Sequence, residues 1–209
     1  MSFVREAWLF VVPPAVAGAV LFLAGQLPWA WGALVLAVLI LLFFRNPKRS
    51  FEGSAAIVLA PADGRILRVD EVQVAELGDQ PMRRIVTFLS AFDVHVQRCP
   101  VGGEVVLTEY REGRKVPAFS ANAGEVNQQN LTVIRDAEED LIGIRQIAGL
   151  VARRVVGYLG SGDVVERGAL LGVIKFGSRV DLLVPMSYMI DVAAGDRVQA
   201  GLTRMARRT

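Results

Sequence analysis

The chain has 209 residues, enough for one compact domain with a small appendage but short for two full domains. Its 23 Lys and Arg nearly balance 21 Asp and Glu, for a net charge of +2, which gives no basic face of the kind nucleic acid requires. One Cys and one His exclude an intrachain disulfide and the usual zinc ligand set, while 53% hydrophobic residues and a mean hydropathy of +0.40 point to contact with lipid.

The apolar excess is concentrated at the start. Residues 7–44 contain no Asp, Glu, Lys or Arg. A bilayer core takes roughly 20 helical residues per crossing, so Trp8–Gly25 and Pro28–Phe44 each suffice, with Gly25-Gln26-Leu27-Pro28 as the turn of a helical hairpin. Arg5 precedes the first span, and Arg45, Lys48 and Arg49 follow the second. Positive flanks place both ends and the rest of the chain on the cytoplasmic face of the cell membrane. Trp8, Trp29 and Trp31 sit where interfacial anchors would. A cleaved signal peptide and a buried core hairpin are the competing readings, but the stretch exceeds a signal core and no small-residue cleavage site follows it. Pro13-Pro14 interrupts the first span, so a re-entrant segment that only dips into the bilayer stays open. The expected division is an anchoring hairpin with basic linker over residues 1–50 and a catalytic β domain over residues 51–209. The linker arginines and Arg204, Arg207 and Arg208 suit either anionic lipid or solvent.

Past the linker, short apolar runs alternate with Gly, Asp and Pro: Ile57 to Ala60, Ile66 to Val69, Arg84 to Leu89, Glu104 to Thr108 and Leu131 to Arg135. This predicts a mostly β domain. Ile147 to Leu159 fits helix or strand, and its valines favour strand from about Val151. Two segments echo each other as Gly-Asp-x-Val-x-x-Gly, at Gly162 to Gly168 and Gly195 to Gly201. Such repeats predict a pseudo-symmetric, flattened barrel-sandwich like that of biotinyl and lipoyl carrier domains. Val173 to Pro185 would then form the hairpin joining the repeats.

Three short motifs offer chemistry. Asp63, in Pro61-Ala62-Asp63-Gly64, is a natural turn residue that could also orient or charge-stabilise a base. His95, the one histidine, lies in Asp93-Val94-His95 and is suited to proton transfer near neutrality, or is a satisfied structural residue. Ser178 follows Gly177 in an apolar context. Its hydroxyl can attack an unhindered Gly177 carbonyl where the backbone is strained, although most Gly-Ser pairs are turns.

Taken together, Pro-Ala-Asp-Gly, Phe-Leu-Ser with Asp-Val-His, and Phe176-Gly177-Ser178-Arg179, in that order ahead of a short tail, resemble the compact bacterial and archaeal phosphatidylserine decarboxylases over about Pro61 to Pro185. The resemblance implies self-cleavage between Gly177 and Ser178 into a β chain, 1–177, and an α chain, 178–209, held as a heterodimer and compatible with further homo-oligomers. It implies a pyruvoyl group made from Ser178, with no metal and no pyridoxal phosphate, that forms a Schiff base with phosphatidylserine and releases carbon dioxide and phosphatidylethanolamine. His95 would transfer the proton, with Asp63 orienting the base. Two departures stand out: longer relatives have Leu-Gly-Ser-Thr at the cleavage site, and a second histidine where this chain has Arg98, which opens the identity of the self-cleavage base. Two other classes compete: a membrane-tethered carrier module acylated on Lys175, whose flanks lack the biotin and lipoate signatures, and a serine hydrolase built on Ser178, which lacks the Gly-x-Ser-x-Gly elbow. A soluble pyruvoyl amine decarboxylase fits the hairpin less well.

Overall fold

The computed structural model describes residues 2–114, 116–120, 122–150, 154–174 and 178–209. The chain divides into two units, Met1–Lys48 and Arg49–Thr209. In the first, β1 (Ser2–Phe3) leads into α1 (Glu6–Leu23) and α2 (Leu27–Phe43), and β2 (Arg45–Asn46) returns to pair antiparallel with β1. The two helices meet through small residues. A Cβ on Gly18 of α1 would stand 3.0 Å from Leu34 Cγ and 3.3 Å from the Ala30 carbonyl, so this glycine sets the approach of the helices. Ala7 and Val11 on α1 and Ala30 and Ala37 on α2 are also buried, while Leu9, Leu23, Trp29 and Trp31 face outward. Pro13 and Pro14 lie inside α1. At 18 residues α1 is long and apolar enough to cross a membrane, which agrees with membrane association; α2 is a shorter apolar helix.

The regular structure of the second unit is almost entirely strand. Its first half contains β3 (Ile57–Leu59), β4 (Gly64–Val72), β5 (Met82–Leu89), β6 (Val96–Arg98), β7 (Gly103–Arg111), the one-turn α3 (Ala123–Val126), β8 (Gln129–Arg135) and β9 (Leu141–Ala148). Its second half contains β10 (Val155–Gly157), β11 (Val164–Val165), β12 (Leu170–Ile174), β13 (Ser178–Pro185), β14 (Tyr188–Ile190), β15 (Arg197–Val198) and β16 (Arg204–Arg208). Eight strands form one curled sheet in the order β11-β7-β8-β9-β13-β5-β4-β15; two three-stranded sheets have the orders β10-β12-β6 and β14-β16-β3.

The pattern of pairing is two-fold. Ile66 N and O bond to Asp196 and Gly195, as Val105 N and O bond to Asp163 and Gly162. Leu59 N donates to Pro100 O, and Arg98 N to Pro61 O. Gly64 and Gly103 share a φ of +152°, and a Cβ on either would fall about 2 Å from a carbonyl oxygen, that of Phe88 or Arg135. One half of this pseudo-dimer, β6 to β12, is continuous. The other, β3 to β5 with β13 to β16, is interrupted by it. The echoed Gly-Asp turns open the two edge strands, β11 and β15, which is why they were visible as a repeat.

The middle of the large sheet is β13, paired along its length with β5 and over Ser178–Leu183 with β9. Side chains alternate across a strand, so Ser178 shares a face with Val180, Leu182 and Val184, which join Ile85, Ile144 and Leu171 in the main core. Full burial of each such aliphatic contributes roughly 1.5–3 kcal/mol. The other face carries Arg179, Asp181 and Leu183.

The structure corrects one expectation. Residues 173–185 do not form a hairpin: β12 pairs with β10 and β6, and β13 with β5 and β9, so the chain crosses between sheets at 175–177. Two equal halves need such crossings wherever one is inserted in the other. Ile147 ends within β9 and strand resumes at Val155, so the ambiguous stretch contains no helix among its described residues. The terminal arginines lie on β16 rather than on a loose tail, and Arg49 belongs to the β unit.

Candidate functional site

The three residues singled out from sequence come to one end of the large sheet. Ser178 is the first residue of β13, facing Leu89 on one side and Ala148 on the other. Across β5, Gly64 packs on the Phe88 carbonyl, so Asp63 stands one strand beyond. His95 is reached because its carbonyl accepts from Ile174 N at 3.3 Å, where β12 ends. His95 thus ends the stretch 90–95 by which the chain leaves one half, and Ser178 begins the strand by which it returns. Gly177 and Lys175 lie outside the described residues.

Ser178 is completely buried and its Oγ has no hydrogen-bond partner among the described residues. A buried hydroxyl left unpaired costs about 1–3 kcal/mol. Both backbone ladders hold it in that position regardless. His95 is also fully buried. Its Nδ1 lies 2.9 Å from the Asp93 carbonyl, and since a carbonyl only accepts, Nδ1 carries a proton and donates there. The Asp93 carboxylate meanwhile accepts from Ser90 N at 2.8 Å and Ser90 Oγ at 2.7 Å, shaping the crossing that presents the imidazole.

Asp63 is held from both flanks of the β unit. Arg49 donates to it twice, at 2.5 and 2.8 Å, and Ala200 N donates at 2.8 Å; Arg49 also reaches the Ala200 carbonyl. The Arg49 side chain is only 9% exposed, so this linker arginine serves Asp63 rather than solvent. Arg98 has its pKa lowered by burial and by the neighbouring Arg49, with Asp63 opposing. Arg98 therefore stands beside Asp63.

Several supporting residues escaped the sequence reading. Gln97 Nε2 donates to the His95 carbonyl at 2.8 Å, Gln146 Nε2 to Gln97 Oε1 at 2.9 Å, and Asn130 Nδ2 to Gln146 Oε1 at 3.3 Å, a buried amide chain running back from the histidine. Asn127 Nδ2 donates to the carbonyls of Val116 and Ala148, fixing the end of β9 beside Ser178. On the far face Arg179 and Asp181 form a fully buried two-point ion pair at 2.6 and 2.7 Å, and Arg179 Nη1 has no partner among the described residues. The Asp-Val-His-Val-Gln and Ser-Arg-Val-Asp spacings of two were the available signal, since residues i and i+2 share a strand face. Among the described residues no three His, Cys, Asp or Glu side chains gather to hold a metal.

Ser178 thus presents a buried hydroxyl, unbonded among the described residues, at the head of a central strand. The family model for phosphatidylserine decarboxylase matches residues 36–206. A phosphatidylserine decarboxylase proenzyme of Ralstonia pickettii is 37% identical over 202 residues, covering 97% of this chain and 94% of the relative. That of Carboxydothermus hydrogenoformans is 39% identical over 207 residues, covering 97% and 95%, and that of Nitrobacter winogradskyi 41% over 182 residues, covering 86% and 74%. With its site geometry and these matches along nearly its whole length, the chain belongs to the phosphatidylserine decarboxylase family.

Proposed function

We propose that this chain is a self-processing decarboxylase of phosphatidylserine, working at the cytoplasmic face of the cell membrane with residues 49–209 as the catalytic unit. The observation that supports the proposal is the buried Ser178 Oγ, unbonded among the described residues at the first residue of β13. In the processing step this oxygen attacks the Gly177 carbonyl as its proton passes to a base, for which His95 Nε2 is the candidate. The acyl group moves from the Ser178 nitrogen to its oxygen. Loss of the α-proton expels the Gly177 carboxylate, and water then replaces the nitrogen of residue 178 as ammonia, so residue 178 heads a 32-residue chain as a pyruvoyl group.

The pyruvoyl group supplies an electrophilic carbonyl that takes the amine of phosphatidylserine and holds the electron pair freed when carbon dioxide leaves. The residues present fit it: the Ser178 position is buried, and the β5 and β9 ladders would keep residue 178 in place after the cut. His95, held by Asp93, returns a proton to the substrate carbon. The Gln97 amide fixes the His95 backbone. Asp63 acts at one remove: its carboxylate joins Arg49 to Ala200 and so ties the two chains of the processed heterodimer together, while its charge offsets Arg98.

The test is the intact mass of the purified chain under denaturing conditions, beside Ser178→Ala. The expected result is two fragments, of 177 and 32 residues, the smaller blocked by pyruvoyl, and an uncut variant. An intact, unmodified wild-type chain would overturn the proposal in favour of a serine hydrolase, and an adduct on Lys175 in favour of a carrier.

A further inference from the structure

Three loops leave the Ser178 end of the large sheet, and each holds a large apolar side chain in water: Phe92 is 88% exposed, Phe119 65% and Leu150 60%. Strand register brings them together. Leu89, shortly before Phe92, and Ala148, shortly before Leu150, are the two partners of Ser178. Phe119 stands edge to face on Phe88, with centroids 6.3 Å apart, and Phe88 faces Arg179 in the ladder.

The pseudo-symmetry supplies an internal control. The equivalent loops at the opposite end, 73–81, 136–140 and 186–187, expose no large apolar side chain: Val74 and Leu77 are buried, Met186 is half-buried, and the tips carry Glu138, Glu139 and Ser187. The fold therefore does not require apolar tips. At that opposite end the exposed Val164 belongs to the edge strand β11 and not to these loops. Exposing apolar tips to water is unfavourable unless something apolar receives them. Arg114 and Arg154, on two of the same segments as the apolar tips, are exposed, and their charge suits anionic lipid phosphates.

We propose that Phe92, Phe119 and Leu150 form a rim that dips into the bilayer interface around the Ser178 end and meets the lipid substrate there. This rests on the decarboxylase reading for its choice of occupant, because a diacyl substrate must be met without leaving the membrane. The rim is a second lipid contact, separate in the chain from the apolar helices.

The test uses the full chain in vesicles of phosphatidylethanolamine and phosphatidylglycerol. Phe92→Cys, Phe119→Cys and Leu150→Cys are each labelled with an environment-sensitive nitrobenzoxadiazole, with Val164→Cys, 83% exposed at the opposite end, as reference. The native Cys99 is buried and burial pushes its thiol up to about 12, so it adds no label. The expected result is blue-shifted emission at the three rim sites and quenching by spin-labelled lipid at least threefold stronger than at residue 164. Quenching by aqueous iodide equal to that at residue 164 would overturn the proposal, as would shielding from both quenchers, which would mean a protein neighbour. The readout needs no turnover. An uncut, inactive chain with its rim in lipid would leave docking standing and sink the decarboxylase reading; a cut, active chain with an aqueous rim would do the reverse.

Discussion

The two halves of the β unit contain the same hairpin in two states. In the continuous half, β8 and β9 are joined by five residues, 136–140, with Arg135 opposite Leu141. In the interrupted half, β5 and β13 are joined by 88 residues, 90–177, with Leu89 opposite Ser178. Leu141 is thus the counterpart of Ser178, Ala56 that of His95 and Arg208 that of Ile174, by matching hydrogen bonds. The closed hairpin end is saturated with charge: Arg208 meets Asp136 at 2.6 Å, Glu138 at 3.4 Å and Asp140 at 3.2 Å, and the Tyr188 hydroxyl donates to Asp140 at 2.8 Å. At the opened end Ser178 is fully buried and its Oγ has no partner among the described residues. One scaffold thus ends in an ion-paired hairpin on one side and in an opened strand start on the other. Opening a hairpin is what frees a strand start to become a site.

The largest expected loss comes from breaking the buried pair behind Ser178. Asp181→Leu leaves Arg179 charged in a dry interior and should cost about 3–5 kcal/mol, read from chemical denaturation in detergent, whereas Arg179→Met combined with Asp181→Leu should recover most of it. Cleavage should slow in the single variant, because Arg179 is the residue after the reacting one. If the single and double variants lose the same stability, the opened end is not held by this pair.

Next come the paired glycines. Gly64→Ala and Gly103→Ala each force an L side chain into φ +152° against a carbonyl, and strain alone should cost about 1–3 kcal/mol at both. Equal losses would uphold the two-fold relation. Only Gly64→Ala should also delay chain cleavage in a time course on gels, since it displaces the Phe88 carbonyl next to the partner of Ser178.

The smallest effect at neutral pH belongs to Tyr188. Burial, with Asp140, Asp136 and their charges also acting, pushes its phenol up to about 12 from an ordinary 10, against the Arg208 hydrogen bond. A proton held more tightly in the folded state means that this stabilisation is full below pH 10 and is lost as pH rises through 12. Tyr188→Phe should cost about 1 kcal/mol at pH 7 and flatten the stability profile between pH 10 and 12. An unchanged profile would show that the phenol is not part of the cohesive end.

Much of this was legible from residue type and spacing. The uncharged run of residues 7–44 reads as two helices because nothing else buries so long an apolar stretch, and α1 and α2 fall within two residues of the expected bounds. The Gly-Asp echo was legible because each copy opens an edge strand with the same backbone demands. The Val173 to Pro185 hairpin was misjudged because two strands adjacent in sequence enter different sheets, and no local pattern encodes an insertion whose evidence lies in pairing 89 residues away, Leu89 with Ser178. Asp63 and His95 were found by type, but their immediate partners were not. Arg49 reads as a lipid-facing linker cation until Ala200 and Asp63 are brought beside it. Gln97 has only its spacing of two from His95 and Gln146 has no signature, since buried amides look like surface ones in sequence.

The burial of Ser178 has a consequence for the lifetime of the processed molecule. A chain end is ordinarily the first place that exopeptidases and acylating enzymes attack. Residue 178 has no exposed surface, and its strand is bonded on both sides. A terminus created there begins inside a sheet, so no peptidase cleft can admit it without unzipping two ladders. Under the proposed cleavage, whatever group headed that strand would be sheltered from trimming by the same hydrogen bonds that align the serine now.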